Sequence, residues 1–214
     1  MATTKIEASN IATGAVPSTG FTSVQVFTAA ATWTRPTDIT KVIVEVLGGG
    51  SSGAASADLD DASGGGGGGY AKKFVDVSSV TNSVITVGAG GTAVTSENVG
   101  IVGGSSSWVD TASGGSLTLT GAGAAAPSNG GYAQDGTGGT GTNGDINIQG
   151  GDGFNSGNNI GKGGDSVFGF GGNEGITGQA AAGVARGYGA GGGGGKGVNS
   201  GAGTGGIVIV WEYK

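Results

Sequence analysis

Ala190 to Gly197 (AGGGGGKG) sets a glycine run directly before Lys196, an arrangement that could cradle phosphate oxygens between backbone N–H groups and a lysine ammonium. A phosphate-binding loop also needs glycine at its first position, a Ser or Thr hydroxyl after the lysine, and a helix to aim the amides. Ala190 takes the first position, Gly197 replaces the hydroxyl, and the glycine-rich sequence beyond cannot sustain a helix. The match is a chance product of the tract, as are the several GxGxxG strings.

Oxygen ligands offer a second chemistry. Gly150 to Ser156 (GGDGFNS) partly matches the GGxGxDx calcium repeat, with Asn155 where the aspartate belongs. Such sites need stacked nine-residue copies, and no second copy follows in register. With Asp58, Asp60 and Asp61 (ADLDDAS) these are the acidic places where a hard cation could bind, and solvated loop carboxylates are the preferred reading. A glycosidase pair would need two carboxyls about 5 to 9.5 Å apart in a walled cleft. Asp145, Asp152 and Asp165 are close in sequence, but the chain has little side-chain bulk with which to wall one. Histidine and cysteine are both absent, which removes imidazole acid–base chemistry, thiolate nucleophiles, disulfides and Cys/His zinc sites. The expectation is a non-enzyme without cofactor or metal.

Net charge is −6, and the nine Lys and Arg residues are scattered. Nucleic acid, which requires a basic footprint, is therefore not an expected partner. The longest apolar stretches are strand-sized, so no membrane insertion is expected.

These residues sit on short β-branched runs bounded by glycine. Strands are expected at Val24 to Thr28, Lys41 to Leu47, Tyr70 to Val77, Val84 to Val87, Ser106 to Asp110, Ser116 to Thr120, Asp145 to Gln149, Ser166 to Phe170 and Gly206 to Tyr213. In KVIVEVL, Val42, Val44 and Val46 share one face. Ile43 and Leu47 on the other face imply that it too is partly covered. No window keeps a helical period. Phe27, Trp33, Tyr70, Phe74, Trp108, Phe168, Trp211 and Tyr213 fall in or beside strands and read as core. Phe154, Tyr132 and Tyr188 fall in glycine-rich loops, where exposed rings could stack on sugars or contact a receptor, and where a plug in the glycine lattice is an equal reading.

Glycine supplies 54 of 214 residues, in tracts such as Gly48 to Gly50, Gly64 to Gly69, Gly88 to Gly91, Gly136 to Gly144 and Ala190 to Gly195. Ordering glycine costs roughly 0.5–1 kcal/mol more than alanine per residue in a regular element, so ordered tracts need compensation. Collagen is rejected, because there is no strict every-third glycine and only three prolines. The preferred reading is a bundle of extended, polyproline-II-like glycine segments hydrogen-bonded sideways, with ordered irregular loops as the other. The expected fold is all-β: a β-sandwich-like body of short strands over residues 21–214 with packed polyglycine-II-like segments, preceded by an extended arm over residues 1–20. On the arm, Ile6, Ile11 and Val16 recur at every fifth position, a spacing that fits neither a helix face nor a strand face and suits docking to another chain.

Phe27 to Pro36 (FTAAATWTRP) with Ile39 to Gly50, then Gly64 to Val77 with Ile85 to Gly91, then Gly187 to Gly195 with Gly201 to Tyr213, resemble in that order the glycine-rich domain of bacteriophage tail-fibre and virion appendage proteins. Ala8 to Val16 is similar to the linker that joins such tips to a shaft. The resemblance implies a virion protein mediating adhesion, with other virion proteins and a host surface polysaccharide or outer-membrane protein as partners, and a homo-oligomer, trimeric by analogy. It implies location on the virion, after synthesis in the host cytoplasm; Met1 to Glu7 lacks the basic start and apolar core of a secretory signal. A head or tail decoration protein and a polysaccharide depolymerase are the alternatives. Candidate receptor contacts are Asp58, Asp60, Asp61, Tyr132, Phe154, Asn155, Asn158 and Asn159; candidate docking residues are Ile6, Ile11 and Val16.

Overall fold

The computed structural model describes residues 20–57, 61–95, 97–110, 117–129, 134–155, 161–176 and 181–214. Ile6, Ile11 and Val16 lie outside them. Among the described residues every regular element is a strand: β1 (Phe21–Phe27), β2 (Ala31–Thr34), β3 (Lys41–Leu47), β4 (Ala55–Ser56), β5 (Tyr70–Asp76), β6 (Asn82–Thr86), β7 (Ser106–Asp110), β8 (Thr118–Gly121), β9 (Gly141–Thr142), β10 (Ile146–Ile148), β11 (Gly169–Phe170), β12 (Gly175–Ile176), β13 (Arg186–Gly187), β14 (Gly195–Lys196) and β15 (Ile207–Tyr213).

Two five-stranded antiparallel sheets, ordered β1-β15-β3-β5-β10 and β2-β6-β7-β8-β9, form the sandwich. The alternation in KVIVEVL sets which face is inside: Val42, Val44 and Val46 are fully buried, beside Val208 and Val210 of β15. Trp33, Ile85, Trp108 and Leu119 of the second sheet pack against them in one cluster. Two buried indoles supply much of the volume that a chain this poor in large aliphatic residues otherwise lacks. Glu212 closes one end of this layer, accepting hydrogen bonds from Ser23 Oγ, Gln25 Nε2 and Trp33 Nε1.

Beyond the sandwich, the segments between strands form the expected bundle. Polyproline II turns once per three residues, so donors three apart face one neighbour. Gly48, Ser51 and Ala54 donate to Gly69, Gly66 and Ser63; Gly49, Ser52 and Ala55 to Gly104, Ile101 and Asn98; Gly50 and Gly53 to Thr204 and Gly201, all at 2.8–3.1 Å. Each triad runs antiparallel to its partner. The tract at 64–69 repeats the pattern, with Gly64 and Gly67 donating to Phe154 and Gly151, and Gly65 and Gly68 to Gly192 and Gly189.

Conformation is not why glycine is required here. Among the described glycines, positive φ occurs at Gly20, Gly187, Gly189 and Gly197, none of which lies inside these triads. The requirement is spacing: a Cβ on Gly50 would overlap the Ala190 carbonyl, and one on Gly65 the Ser51 carbonyl.

The strands at Lys41–Leu47 and Ser106–Asp110 match their expected bounds, whereas Ala31–Thr34 was not anticipated. Ser166 to Phe170 differs from expectation. It is a tight turn with a Ser166↔Gly169 bridge and a two-residue strand, because the Ser166 amide donates to the Gly169 carbonyl while Ser166 Oγ accepts from the Phe168 amide, which folds the chain back. Phe74 is corrected from core to surface: it points away from the sandwich, opposite Ile43, and is 53% exposed.

Gly203 and Gly205 give a matched pair for the spacing claim. A Cβ on Gly203 meets the Gly50 carbonyl, while the nearest atom to one on Gly205 is 3.5 Å away. Gly203→Ala is expected to cost about 3 kcal/mol and Gly205→Ala less than about 0.5 kcal/mol, read by denaturant unfolding. Equal costs would refute carbonyl overlap as the constraint.

Candidate functional site

Strands and bundle segments alternate in direction, so the connections sort to two ends. Segment 48–55 leaves β3 and segment 62–69 returns antiparallel to it into β5. The same outward and return pairing recurs through the chain, and the described residues that flank six connections, among them Ser56, Ala62, Asn98, Asn129, Gly161, Ile176 and Lys196, meet at the end remote from the sandwich. Direct pairings hold their flanks together: Ala55↔Asn98 and Ala62↔Asn129 are bridged, Ser56 and Ile176 both pair with Lys196, and Gly161 donates to the Ala62 carbonyl. Ser200 Oγ accepts from the Val94 amide.

The predicted contact residues lie on, or border, three of these connections. Asp58, Asp60, Tyr132, Asn158 and Asn159 lie outside the described residues. Of the others, Asp61 is half-buried, Phe154 is 60% exposed, and Asn155 follows it. Phe154 is anchored by its backbone, donating to the Lys162 carbonyl and accepting from Gly64, so its ring is presented from a fixed main chain. Nearby, burial raises the Asp135 carboxyl above its ordinary range, and repulsion from Asp152 adds to this. Tyr188 sits instead at the turn 187–189, near the sandwich.

The carboxylates weighed for catalysis have structural partners. Asp152 accepts from the Gly138 amide, Asp165 from the Gly171 amide, and Asp145 from Lys73 Nζ and the Phe74 amide. Among the described residues no three acidic side chains converge as a metal site. The glycine run before Lys196 has no free amides for phosphate: Gly191 to Gly195 donate in turn to Gly164, Ser51, Gly183, Gly161 and Ala54.

A family model described as a glycine-rich domain matches residues 24–211. The chain belongs to that family. Among curated proteins none matches it. The matched span begins inside β1 and ends inside β15, so this glycine-rich domain comprises the sandwich and the bundle together.

A second surface of the domain escaped the sequence reading. On the outer face of the β1-β15-β3-β5-β10 sheet, Glu45 accepts from Tyr70 Oη at 2.7 Å and Trp211 Nε1 at 2.9 Å, with Lys72 Nζ 3.4 Å away. Burial, reinforced by the Glu45 contact, pushes the Tyr70 phenol strongly upward, so it stays a donor throughout the working range. Around this polar centre lie exposed apolar residues of β1, β5 and β10. Alternation over Ser23 to Phe27 carries the signal for two faces, but not which of them is covered, and the adjacent Lys72 and Lys73 blur it in YAKKFVD.

At the rim of this face, the hydrogen bond from Lys73, with the Phe74 amide, holds the Asp145 carboxyl below its ordinary 3.8. A depressed carboxyl contributes stability above the unfolded value and loses it as pH falls through the folded one. Asp145→Asn is therefore expected to lower the melting temperature at neutral pH and to converge with the parent in acid below 3.8. A constant gap across the titration would show that charge at this position is irrelevant.

Proposed function

We propose that this glycine-rich domain is the tip of a bacteriophage tail fibre or similar virion appendage, and that it mediates adhesion to the bacterial host surface. The observation that supports this best is a bundle whose main chains are mutually hydrogen-bonded and whose described residues flanking six connections pair with one another at one end. A frame of this kind holds its geometry while the residues on its connections vary, which is what a receptor-contacting surface needs. Phe154 would offer an apolar platform to a sugar ring, and Asp61 and Asn155 hydrogen-bonding groups. A polysaccharide or an outer-membrane protein are the target classes. Residues 1–20 would dock the domain to a neighbouring virion protein through Ile6, Ile11 and Val16, and many copies per particle would raise a weak single-site affinity.

A decoration role, in which the domain cements the particle without touching the host, is favoured by one observation: the broad apolar face of the larger sheet, which suits permanent burial against protein. Depolymerase activity has less support, since Asp145, Asp152 and Asp165 each accept from backbone amides.

Purified protein is expected to bind host cells and compete with phage adsorption. Combining Phe154→Ala with Asp61→Asn should weaken cell binding at least tenfold without shifting the melting temperature. Protein that binds no host cells, together with normal adsorption by particles lacking it, would leave decoration as the reading. Electron microscopy locating the protein on the capsid would point the same way.

A further inference from the structure

At one end of the outer face of the larger sheet Leu47, Tyr70 and Ile207 are buried, with Phe168 packed edge-on against Tyr70, but no described residue covers the rest of it. Phe21 (58% exposed), Val24 and Val26 stand on β1, Phe74 on β5, and Ile146 and Ile148 on β10, all on this side by register. Together they expose on the order of 500 Å² of apolar surface, the scale at which patches mark interaction sites.

Charge on this face cancels. Lys41 lies opposite Asp76, and Lys72 pairs with Glu45. With two charges of each sign here, the whole net charge of −6 resides on the rest of the molecule. Two copies of an acidic protein repel wherever that excess faces itself, and this neutral apolar face is where they can approach without that cost.

Shape supplies a knob and a hole. Phe21 stands at one edge, its ring 6.1 Å from Trp211 and 5.9 Å from Tyr213, and more than half of it is in solvent. Toward the opposite edge lies a depression of about 140 Å³, lined by Ile43, Phe74 and Ile146 and rimmed by Lys72, Lys73 and Asp145. A cavity of about 150 Å³ lined by Leu, Ile and Phe admits benzene, so the depression has room for one phenyl ring. The chain's own Phe21 cannot fill it, because β15 and β3 intervene.

We propose that two copies of this chain pack outer face to outer face about a two-fold axis, each seating Phe21 in the depression of the other. Such an isologous contact buries both knobs and both holes with one operation. It concerns a different surface from the connections proposed to meet the host, so either assignment can fail alone.

Engineered cysteines test the geometry, because the native chain has none to compete. Strands β1 and β10 are four positions apart in the sheet, about 19 Å, whereas a disulfide needs Cα atoms about 4.4–6.8 Å apart. The double variant Phe21→Cys, Ile146→Cys therefore cannot close within one chain. It is expected to give a covalent dimer on mild oxidation. By sedimentation the parent is expected to be a dimer, and Phe74→Lys to weaken association at least 100-fold with an unchanged circular dichroism spectrum. A parent that stays monomeric up to about 100 μM would overturn the proposal and leave the face to a different partner. So would a dimer that neither cross-links through the cysteine pair nor responds to Phe74→Lys.

Discussion

Main chains in this protein approach so closely that the carbonyl of one segment occupies the place where the next would carry a Cβ. Everything outside the sandwich depends on that contact. With no side chain between them, extended segments hydrogen-bond to neighbours on several sides at once, and a three-residue turn distributes donors and acceptors around the axis. The tract at 64–69 is the clearest case. It donates to segments at 151–154 and 189–192, and to Ala122 and Ser51 Oγ, while accepting from 48–51, 136–139 and Gly164. Cohesion that an ordinary domain draws from buried apolar side chains comes here from a saturated backbone. That accounts for how so thin a hydrophobic core can suffice.

The sandwich is what starts and stops the bundle. Three of the long strands adjoin a bundle segment directly, β3 at Gly48, β5 at Gly69 and β15 at Gly206, so strand register sets segment register. Two carboxylates secure the sheet from its two sides. Glu212 on the inner side ties β1 to the second sheet through Ser23, Gln25 and Trp33, and Glu45 on the outer side ties β5 to β15 through Tyr70 and Trp211. Both are nearly buried, yet each has multiple donors, which offsets the cost of removing a charge from water.

Strand identity was legible wherever β-branched residues alternate, as in Lys41–Leu47 and Ile207–Tyr213, because that pattern reports which residues face the core. The long glycine tracts were legible as packed segments. Partner choice was not, since glycine carries no side chain to declare which neighbour it faces. A weaker signal was present but unread: glycines three apart, as at Gly100 and Gly103, Gly150 and Gly153, and Gly161 and Gly164, all fall where a Cβ would strike backbone. Between the first pair, Ile101 and Val102 stand exposed, so NVGIVGG is a bundle-edge segment with one glycine face and one free face. Read with a period of two or 3.6, that spacing looks like noise. That Asp61 and Phe154 fall at one end follows from the alternating direction of the segments, a property of topology that no single motif contains.

This division constrains how such a domain can change. A substitution within a bundle segment displaces a neighbouring main chain, and because that neighbour bonds to several others, the disturbance spreads through the stack. The exposed ring of Phe154, carried on a paired main chain, meets no such restriction. The two ends therefore differ in kind: the strand end specifies register through side chains, and the remote end is held mainly by backbone pairings, joined by side-chain bonds from Asn129 and at Ser200. Exposed side chains at the remote end, such as that of Phe154, can change without displacing a neighbouring main chain. The outer sheet face belongs to the first kind. Its apolar residues are fixed by the same alternation that builds the core, so a contact made there would be as constant as the fold itself, in contrast to one made at the connections.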